Sequence, residues 1–307
     1  MKIVHFADTH IGPFPGPVVA GKNARAEDTL RCFDEFIDKV ATINPDLIIH
    51  AGDLFHAAKT WSERGISEVN DAIQRIERLA DIAPVVIVRG TPNHDGEQHY
   101  QMLKTHFENN GNVKIITEPG HYSIDTNVTA VSLCALPGFD KGYWRSKNPG
   151  LDREQETQAF SDALEKMIVG MKAQCEAGYP SVLVGHYTVE GANTESGQTM
   201  MFSQFEPIIT HRTLTTAGYD LCCFGHIHKP QALGANAFYS GSINRLNFND
   251  EGDRRGFYMH TLEGNKLVSS EFIELESPRK FKTVRLDDAA IHDFNLTGML
   301  PQQDVED

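Results

Sequence analysis

The feature of this sequence that most limits its fold is a series of short apolar segments, each followed at once by aspartate, asparagine or histidine. Five such clusters occur: Asp8-Thr9-His10, Gly52-Asp53, Asn93-His94-Asp95, Gly185-His186 and Gly225-His226-Ile227-His228. Short apolar runs of this kind are typical of buried strands. Because α/β proteins build ligand sites from the loops at the carboxyl ends of strands, the five clusters predict one shared pocket.

The spacing of apolar residues between the clusters predicts the elements that carry them. Early in the chain, helices at 24–43, 63–80 and 97–108 alternate with strands at 2–7, 47–50, 84–88 and 113–116. Later, strands crowd at 121–125, 128–135, 181–185, 220–225, 237–241, 256–262 and 266–274, with a loop at 137–151 and a helix at 153–176. This order favours an α/β sandwich of two sheets flanked by helices over one doubly wound sheet.

A domain boundary is predicted at Glu276-Ser277-Pro278, which divides the chain into a main domain, 1–275, and a further segment, 276–307, with one strand at 281–286. The N-terminus begins directly with a charged, strand-like stretch, unlike a signal peptide. We find no apolar run long enough to span a membrane. The five cysteines form no C-x-x-C pair, as expected of buried thiols in a reducing compartment. The prediction is a cytoplasmic protein that does not associate with membranes.

The chemistry of the five clusters points to divalent metal ions. Together they would bring two Asp, one Asn and four or five His into one pocket. Imidazole combined with carboxylate and amide oxygen suits Mn, Fe or Zn better than Mg or Ca. These ligands are too many for one ion, and Asp53 is the natural bridge between two. Two ions about 3.5–4 Å apart can hold a hydroxide between them and clamp the attacking and leaving oxygens of a phosphoryl group.

Strand geometry predicts how the ligand pairs are arranged. Side chains alternate along an extended segment, so Asp8 and His10 should share one face, as should His226 and His228. His5 and His50 lie within strands and are predicted to be structural. Two further groups of residues have two interpretations each: the basic and aromatic stretch 141–147, and Arg245, Arg254 and Arg255. Each group would either contact nucleic acid or form ordinary protein surface.

The formal net charge of −14 opposes nucleic acid as a substrate, since Lys and Arg drive phosphate binding. Two divalent cations would offset part of that charge locally. A basic partner subunit could supply the remaining attraction for nucleic acid.

The clusters resemble the motifs of the calcineurin-like metallophosphoesterase superfamily: Asp-x-His, Gly-Asp, Gly-Asn-His-Asp/Glu, His and Gly-His-x-His. In the third motif this sequence inserts Thr91-Pro92 between Gly90 and Asn93. Within the superfamily the chain is most similar to SbcD-type DNA nucleases. The runs that carry this similarity are Gly52-Asp53-Leu54-Phe55-His56, His186-Tyr187-Thr188-Val189-Glu190-Gly191, Phe224-Gly225-His226-Ile227-His228-Lys229-Pro230-Gln231 and Tyr239-Ser240-Gly241-Ser242-Ile243.

The resemblance implies a four-layer α-β-β-α sandwich of two mixed sheets, followed by a short capping-like segment. It also implies two metal ions, most readily Mn²⁺, bound by two sets that share Asp53. One set is Asp8, His10, Asp53 and His228; the other is Asp53, Asn93, His186 and His226. His94 would contact the scissile phosphate and protonate the leaving oxygen, and His56 would help to place the DNA end.

At the level of function, the resemblance implies an Mn-dependent DNA exonuclease and endonuclease, the nuclease subunit of an SbcC–SbcD-like repair and recombination complex. Its partners would be DNA, a coiled-coil ABC-type ATPase like SbcC, and a second copy of the chain, packed through the helices at 63–80 and 97–108. Two alternatives remain. One is a metallophosphoesterase for another substrate, such as a nucleotide, phosphoprotein or phospholipid precursor, which the acidic charge favours. The other is a non-catalytic scaffold, which would be expected to lack ligands.

Overall fold

The structure is a computed structural model, and it describes residues 1–58, 63–138, 140–194 and 206–284. The helices in these ranges are α1 (Ala24–Ile43), α2 (Glu63–Ala80), α3 (Glu97–His106), α4 (Lys141–Lys147), α5 (Arg153–Lys172) and α6 (His211–Ala217). The longer strands are β1 (Lys2–Phe6), β4 (Leu47–Ala51), β5 (Val85–Val88), β6 (Val113–Ile116), β7 (Gly120–Asp125), β8 (Ala130–Leu136), β9 (Ser181–His186), β12 (Leu221–Gly225), β15 (Gly256–Glu263) and β16 (Lys266–Glu274). The short strands are β2 (Val18–Val19), β3 (Lys22–Asn23), β10 (Thr188–Val189), β11 (Ile208–Ile209), β13 (Gln231–Ala232) and β14 (Ala237–Tyr239).

The strands form two mixed six-stranded sheets. The first has the order β16-β15-β1-β4-β5-β6, in which β1, β4, β5 and β6 run parallel and β15 and β16 join antiparallel at one edge. The second has the order β13-β14-β12-β9-β8-β7, with parallel pairing from β14 to β8 and antiparallel strands at both edges. The parallel strands at the centre of each sheet send their carboxyl ends to one edge.

The core has three layers of apolar side chains, which makes the fold a four-layer sandwich. Alternate residues of β1 separate two of these layers: Ile3 faces the second sheet, while Val4 and Phe6 face the helices α1 to α3. The third layer lies between the second sheet and helices α5 and α6. The predicted α/β fold, a four-layer α-β-β-α sandwich of two mixed sheets, is therefore confirmed.

Helix α1 illustrates how local sequence sets an element that supports the site. Asn23 caps its first turn by accepting a hydrogen bond from the Ala26 amide, and Asn44 ends it in the left-handed conformation, at φ 48°. Phe33 and Phe36 are fully buried against the first sheet. Burial of each such ring stabilises the fold by about 1.5–3 kcal/mol.

Several predicted element boundaries need correction. The predicted helix 97–108 ends at His106, the helix 153–176 ends at Lys172, and the predicted loop 137–151 contains α4. Residues 281–284 form no strand, and 285–286 lie outside the described residues, as does most of the predicted segment 276–307. After β16 the described chain follows α1 instead, where Glu35 accepts hydrogen bonds from the amides of Glu276 and Ser277.

No helix in the described ranges is both long and apolar enough to cross a bilayer.

Candidate metal centre

The polar clusters predicted from the sequence meet at the carboxyl ends of the central strands of both sheets. The loops after β1 and β4 run side by side, with the Asp8 amide donating to Gly52 O (3.0 Å) and the His10 amide to Asp53 O (3.1 Å). From the second sheet, His186 ends β9 and is paired in register with Gly225 at the end of β12. The two sheets therefore contribute ligands from opposite sides of one pocket.

The backbone conformation of this pocket is unusual. Among the described non-glycine residues with positive φ are four of the predicted metal ligands: Asp8 (51°), His10 (52°), Asp53 (54°) and His226 (94°). Such conformations are uncommon for residues with a Cβ atom, and they concentrate at functional sites. The explanation from strand alternation is thus wrong for Asp8 and His10. Their side chains converge because the backbone turns at each residue, not because the segment is extended.

Two glycines allow the loops to approach closely enough to close the pocket. A Cβ atom on Gly52, whose φ is +97°, would lie 2.3 Å from His186 Nδ1, and one on Gly225 would lie 2.3 Å from Ala51 O. Both distances are far inside van der Waals contact, so a larger residue at either position would force the sheets apart.

Asp53 occupies the centre of the cluster. Its Oδ2 atom lies 3.2 Å from His186 Nε2, 3.9 Å from His10 Nε2 and 4.0 Å from His94 Nε2. Asp8, which is fully buried, lies 3.9 Å from His186 Nε2 through Oδ1. Among the carboxylates of the described ranges, no other lies within 4.0 Å of three histidines, which is the position that a bridging ligand requires.

The ligand atoms form two adjoining groups that share Asp8. One contains Asp8, His10 and His228, and the other contains Asp8, Asp53 and His186; within each group the candidate ligand atoms lie within 4.8 Å of one another. His226 adjoins both, since its amide donates to Asp8 at 3.1 Å and its ring centroid is 5.3 Å from that of His186. The structure thus brings together six of the seven predicted ligands.

The orientations of the imidazoles fit a cation. His186 Nδ1 lies 2.7 Å from Ala51 O, and because a carbonyl only accepts, Nδ1 carries a proton, which leaves Nε2 as the nitrogen that faces the carboxylates. Metal-binding histidines are commonly held in this way by their second nitrogen. Within the described part of the chain, both ring nitrogens of His10 and Nδ1 of His228 are buried without a hydrogen-bond partner. Buried nitrogens without partners are rare, and a metal ion would satisfy them.

The pKa shifts reflect the burial of the pocket and the negative charge of Asp53. Burial raises the pKa of Asp8 to about 7, against the opposing charge of His186. Burial also lowers the pKa of His10 well below its usual value and that of His228 to about 3, so both rings are neutral and able to bind metal. Burial alone would lower the pKa of His186, but the negative charge of Asp53 outweighs the effect of burial, and the pKa of His186 rises to about 10. A divalent cation would replace that proton.

Glu206 is a member of the site that the sequence did not predict. Its Oε2 atom accepts a hydrogen bond from His226 Nε2 at 2.8 Å. This contact holds the His226 ring through its Nε2 atom. No motif surrounds Glu206, and its separation of 20 residues from His226 along the chain gives no local signal of their contact.

The loop after β5 differs from the prediction. Asn93, the seventh predicted ligand, is exposed, and its side chain makes no hydrogen bond within the described residues. Thr91 instead contacts Asp53, donating to Oδ1 from its amide (2.7 Å) and from Oγ1 (3.0 Å). The inserted Thr91-Pro92 explains the difference, because Thr91 takes the position directly after Gly90 and Asn93 is displaced into the following turn.

His94 and His56 lie at the mouth of the pocket. His94 Nδ1 donates to His56 O at 2.5 Å, which leaves Nε2 directed towards Asp53. The His94 side chain is 34% exposed, unlike the buried ligands, so a substrate can reach it. The His56 ring is half-buried and packs on Phe14, with ring centroids 3.8 Å apart.

Asp95 and Arg255 hold the loops that carry the site. Asp95 is buried and accepts hydrogen bonds from the amides of Phe55 (3.0 Å) and Gly90 (2.6 Å) and from the Tyr100 hydroxyl (2.8 Å). Arg255 is 1% exposed and donates to His228 O and to Ser242 Oγ. Neither interpretation of Arg255 from the sequence is right, because the guanidinium is an internal brace of the His228 loop.

A second buried histidine cluster, away from the pocket, is structural. His260 and His5 lie between strands β15 and β1, with His260 Nε2 3.5 Å from His5 Nδ1. His5 Nε2 donates to Phe224 O at 3.2 Å, and His260 Nδ1 lies 2.8 Å from Ser270 Oγ. All four ring nitrogens therefore have partners. This agrees with the structural role predicted for His5.

Comparison with known proteins gave matches in sequence and in fold. Residues 1–230 match the family described as calcineurin-like phosphoesterase. The SbcD component of the SbcCD nuclease from Staphylococcus epidermidis is 26% identical over 290 residues, which are 94% of this chain and 73% of that protein. A putative 5′-nucleotidase from Staphylococcus aureus is 14% identical with a TM-score of 0.49, over 95% of this chain and 56% of that one. A dimetal phosphatase from Danio rerio is 9% identical with a TM-score of 0.48, over 89% and 98%.

Proposed function

The chain belongs to the calcineurin-like phosphoesterase family, and from that premise we propose that it is a two-metal DNA nuclease of the SbcD type. The observation that carries the proposal is the position of Asp53, whose Oδ2 atom is shared by three histidines at 3.2–4.0 Å in a buried pocket. Two of these rings, His10 and His186, belong to different proposed ligand sets, so Asp53 lies where a ligand that bridges two ions is expected.

The proposed ligand sets differ from those predicted from the sequence only in the loop after β5. Asp8, His10, Asp53 and His228 would hold one ion. Asp53, His186 and His226 would hold the other, with the loop Thr91–Asn93 at its remaining side. The ions, which we propose to be Mn²⁺, would supply Lewis-acid activation of water and neutralise charge on the phosphate.

The protein side chains at the mouth of the pocket would handle the proton. His94 is held through Nδ1 by His56 O, so its Nε2 points into the pocket at a fixed angle. In its protonated form His94 would donate from Nε2 to the oxygen that leaves the phosphorus atom. Glu206 would keep the Nε2 proton of His226 in place, which orients that ring.

DNA is the proposed substrate because the similarity to the Staphylococcus epidermidis nuclease component extends over 94% of this chain. In the same proposal, residues 1–275 form the nuclease domain and residues 276–307 begin a capping segment. The protein would act in the cytoplasm as a homodimer with an SbcC-like coiled-coil ATPase. A basic partner would also compensate for the net charge of −14, which opposes binding to a polyanion.

The test is hydrolysis by the purified chain in Mn²⁺. Labelled single-stranded and duplex DNA should be cut, and bis-p-nitrophenyl phosphate should be hydrolysed; Asp53→Asn should abolish all three reactions and reduce the content of both ions. Matched reactions with a nucleoside monophosphate and a phosphopeptide test the alternative substrates. Hydrolysis of the small diester and the nucleotide, with both DNA substrates intact, would replace the nuclease proposal with a nucleotide phosphoesterase.

A further inference from the structure

A continuous row of rings leads from the pocket to the protein surface. It begins with His94 and His56, whose ring centroids are 5.9 Å apart, and continues to Phe14 at 3.8 Å. The Arg25 guanidinium lies over Phe14 at 4.8 Å and over Phe281 at 5.2 Å. The row ends where Phe281 meets Phe248, at 5.0 Å.

The outer end of the row is an exposed aromatic surface. The Phe248 residue is 63% exposed, although a large apolar ring gains by burial. Phe248 begins a short 3-10 helix, Phe248–Asp250, whose geometry is fixed because Asp250 accepts hydrogen bonds from the amides of Leu246 and Asn247. The ring is therefore presented to solvent on a rigid support.

The segment that carries Phe281 is firmly attached to the nuclease domain. Arg245 donates to Pro278 O at 3.2 Å, and Arg279 binds Asp28 of α1 with Nε at 2.7 Å from Oδ2. Further along, the Thr283 amide and hydroxyl donate to Glu251 at 2.9 and 2.6 Å. These contacts on both sides of Phe281 hold it at the end of the row.

Positive charge flanks the half-buried Phe281 ring. Lys280 and Lys282 precede and follow Phe281, and both are exposed. Neither has an ion-pair partner within 4.0 Å in the part of the chain that the structure describes. In a chain with a net charge of −14, two exposed lysines beside the exposed Phe248 ring and the half-buried Phe281 ring form a local surface suited to phosphates and bases.

We propose that Phe248, Phe281, Lys280 and Lys282 form a platform for single-stranded DNA that leads to the metal centre. An unpaired base would stack on Phe248, and the lysines would contact the adjoining phosphates, so that the strand enters the pocket past His56. Single-stranded DNA is the occupant because only unpaired bases offer a free face for stacking. The platform rests on the proposed nuclease function, and it assigns that function a strand-binding surface.

The experiment measures binding of a 2-aminopurine-labelled oligodeoxynucleotide to the Mn²⁺-loaded protein in a His94→Ala background, which prevents cleavage. Phe248→Ala should raise the Kd by roughly 5- to 100-fold and reduce the quenching of 2-aminopurine, in line with the loss of one stacked base. Combined Lys280→Glu and Lys282→Glu should also raise the Kd and should make it less dependent on salt.

Two matched controls lie at the opposite end of the strands. Tyr179, 38% exposed, accepts a hydrogen bond from Asn265 through its backbone oxygen, and Lys266 begins β16 beside it. Tyr179→Ala and Lys266→Glu should leave the DNA affinity unchanged. Melting temperature and Mn²⁺ content establish that each variant is folded, and the surface lysine variants keep the test valid even if Phe248→Ala unfolds.

The outcomes separate the platform from the nuclease function. If the wild type cuts DNA but neither set of variants changes affinity, the platform is wrong and the function stands. If the His94→Ala protein does not bind single-stranded DNA at all, the platform is wrong; failure of the wild type to cut DNA would then remove the function as well. If Phe248→Ala changes self-association measured by light scattering and not DNA affinity, the surface is an interface between copies of the chain.

Discussion

His94 and Glu206 are the residues whose individual roles are most sharply defined by geometry. His94 binds His56 O through Nδ1, which leaves its Nε2 facing the pocket, and Glu206 holds the ring of His226 through Nε2. Neither is one of the central ligands around Asp53. Substitution of His94 should therefore separate proton transfer from metal binding, and substitution of Glu206 should measure how much the orientation of His226 contributes to metal binding.

For His94, we expect His94→Ala to retain both metal ions and to lose most hydrolysis. Removal of a general acid typically lowers the rate by ~10²–10⁴-fold. The measurement is kcat on bis-p-nitrophenyl phosphate together with Mn²⁺ content by elemental analysis. Loss of an ion in this variant would identify His94 as a ligand, and unchanged kcat would remove it from the mechanism.

For Glu206, we expect Glu206→Ala to weaken Mn²⁺ binding by roughly 10- to 100-fold, because a carboxylate that orients a metal-binding histidine usually contributes that much to affinity. Glu206→Gln should have a smaller effect, since the amide oxygen can still accept from His226 Nε2. Titration calorimetry of Mn²⁺ measures both. Glu190→Gln is the control, because the Glu190 side chain accepts from the His211 amide and not from a histidine ring in the described part of the chain. Equal affinities for Glu206→Ala and the control would contradict the role.

At the scale of elements, the loops after β4 and β5 and the start of α3 are joined by one side chain. Asp95 accepts from Phe55, Gly90 and Tyr100. Burial, together with the nearby Asp53 charge, raises the pKa of Asp95 to about 6. The buried carboxyl group thus serves as the shared acceptor of three donors from three segments.

We expect Asp95→Ala to lower the free energy of unfolding by about 2–4 kcal/mol, because it leaves buried donors without an acceptor. Asp95→Asn keeps one acceptor oxygen and should cost less. Tyr100→Phe removes a single donor and should cost about 1 kcal/mol. Urea unfolding followed by circular dichroism measures all three. A stability of Asp95→Ala equal to that of the wild type would show that the loops are held by other contacts.

At the scale of the whole molecule, helices α2 and α3 form one surface on the outside of the first sheet. His106 Nε2 and Glu77 Oε1 join them at 2.9 Å. Ile66 on α2 and Met102 on α3 are 51% and 38% exposed. Val69, Ile76 and Leu103 are buried in the core of the same chain, and Ile73 is partly buried against it.

We expect this surface to form a two-fold dimer interface, and Ile66→Asp to shift the protein to the monomer. A two-fold interface places each substitution twice in the contact, so one charged residue should be enough. Light scattering after size-exclusion chromatography at micromolar concentration measures the mass. Val268→Asp, at an apolar residue 44% exposed on β16, is the control. A wild type that is monomeric throughout would rule out this interface.

The sequence by itself determined the layer order and the chemistry of the pocket. The periods of strands and helices are local properties of the sequence. The spacing of apolar residues was therefore sufficient to predict the two sheets and most of the element boundaries. The polar clusters follow strand ends, and this order alone was enough to predict that Asp8, His10, Asp53, His186, His226 and His228 lie near one another. The kinds of ligand, imidazole and carboxylate without thiolate, likewise follow from residue identity.

Only the tertiary structure decided how those residues are held. Left-handed backbone at Asp8, His10 and Asp53 depends on loops from separate strands, which no local pattern encodes. Glu206 and Arg255 reach the site from 20 and 27 residues away, through contacts that depend on how the chain folds back. Tertiary packing likewise decides that Thr91, and not Asn93, lies beside Asp53, because a two-residue insertion changes which side chain meets the neighbouring strand. Local sequence fixes what a segment can become, whereas the neighbours that a side chain meets are set by long-range packing.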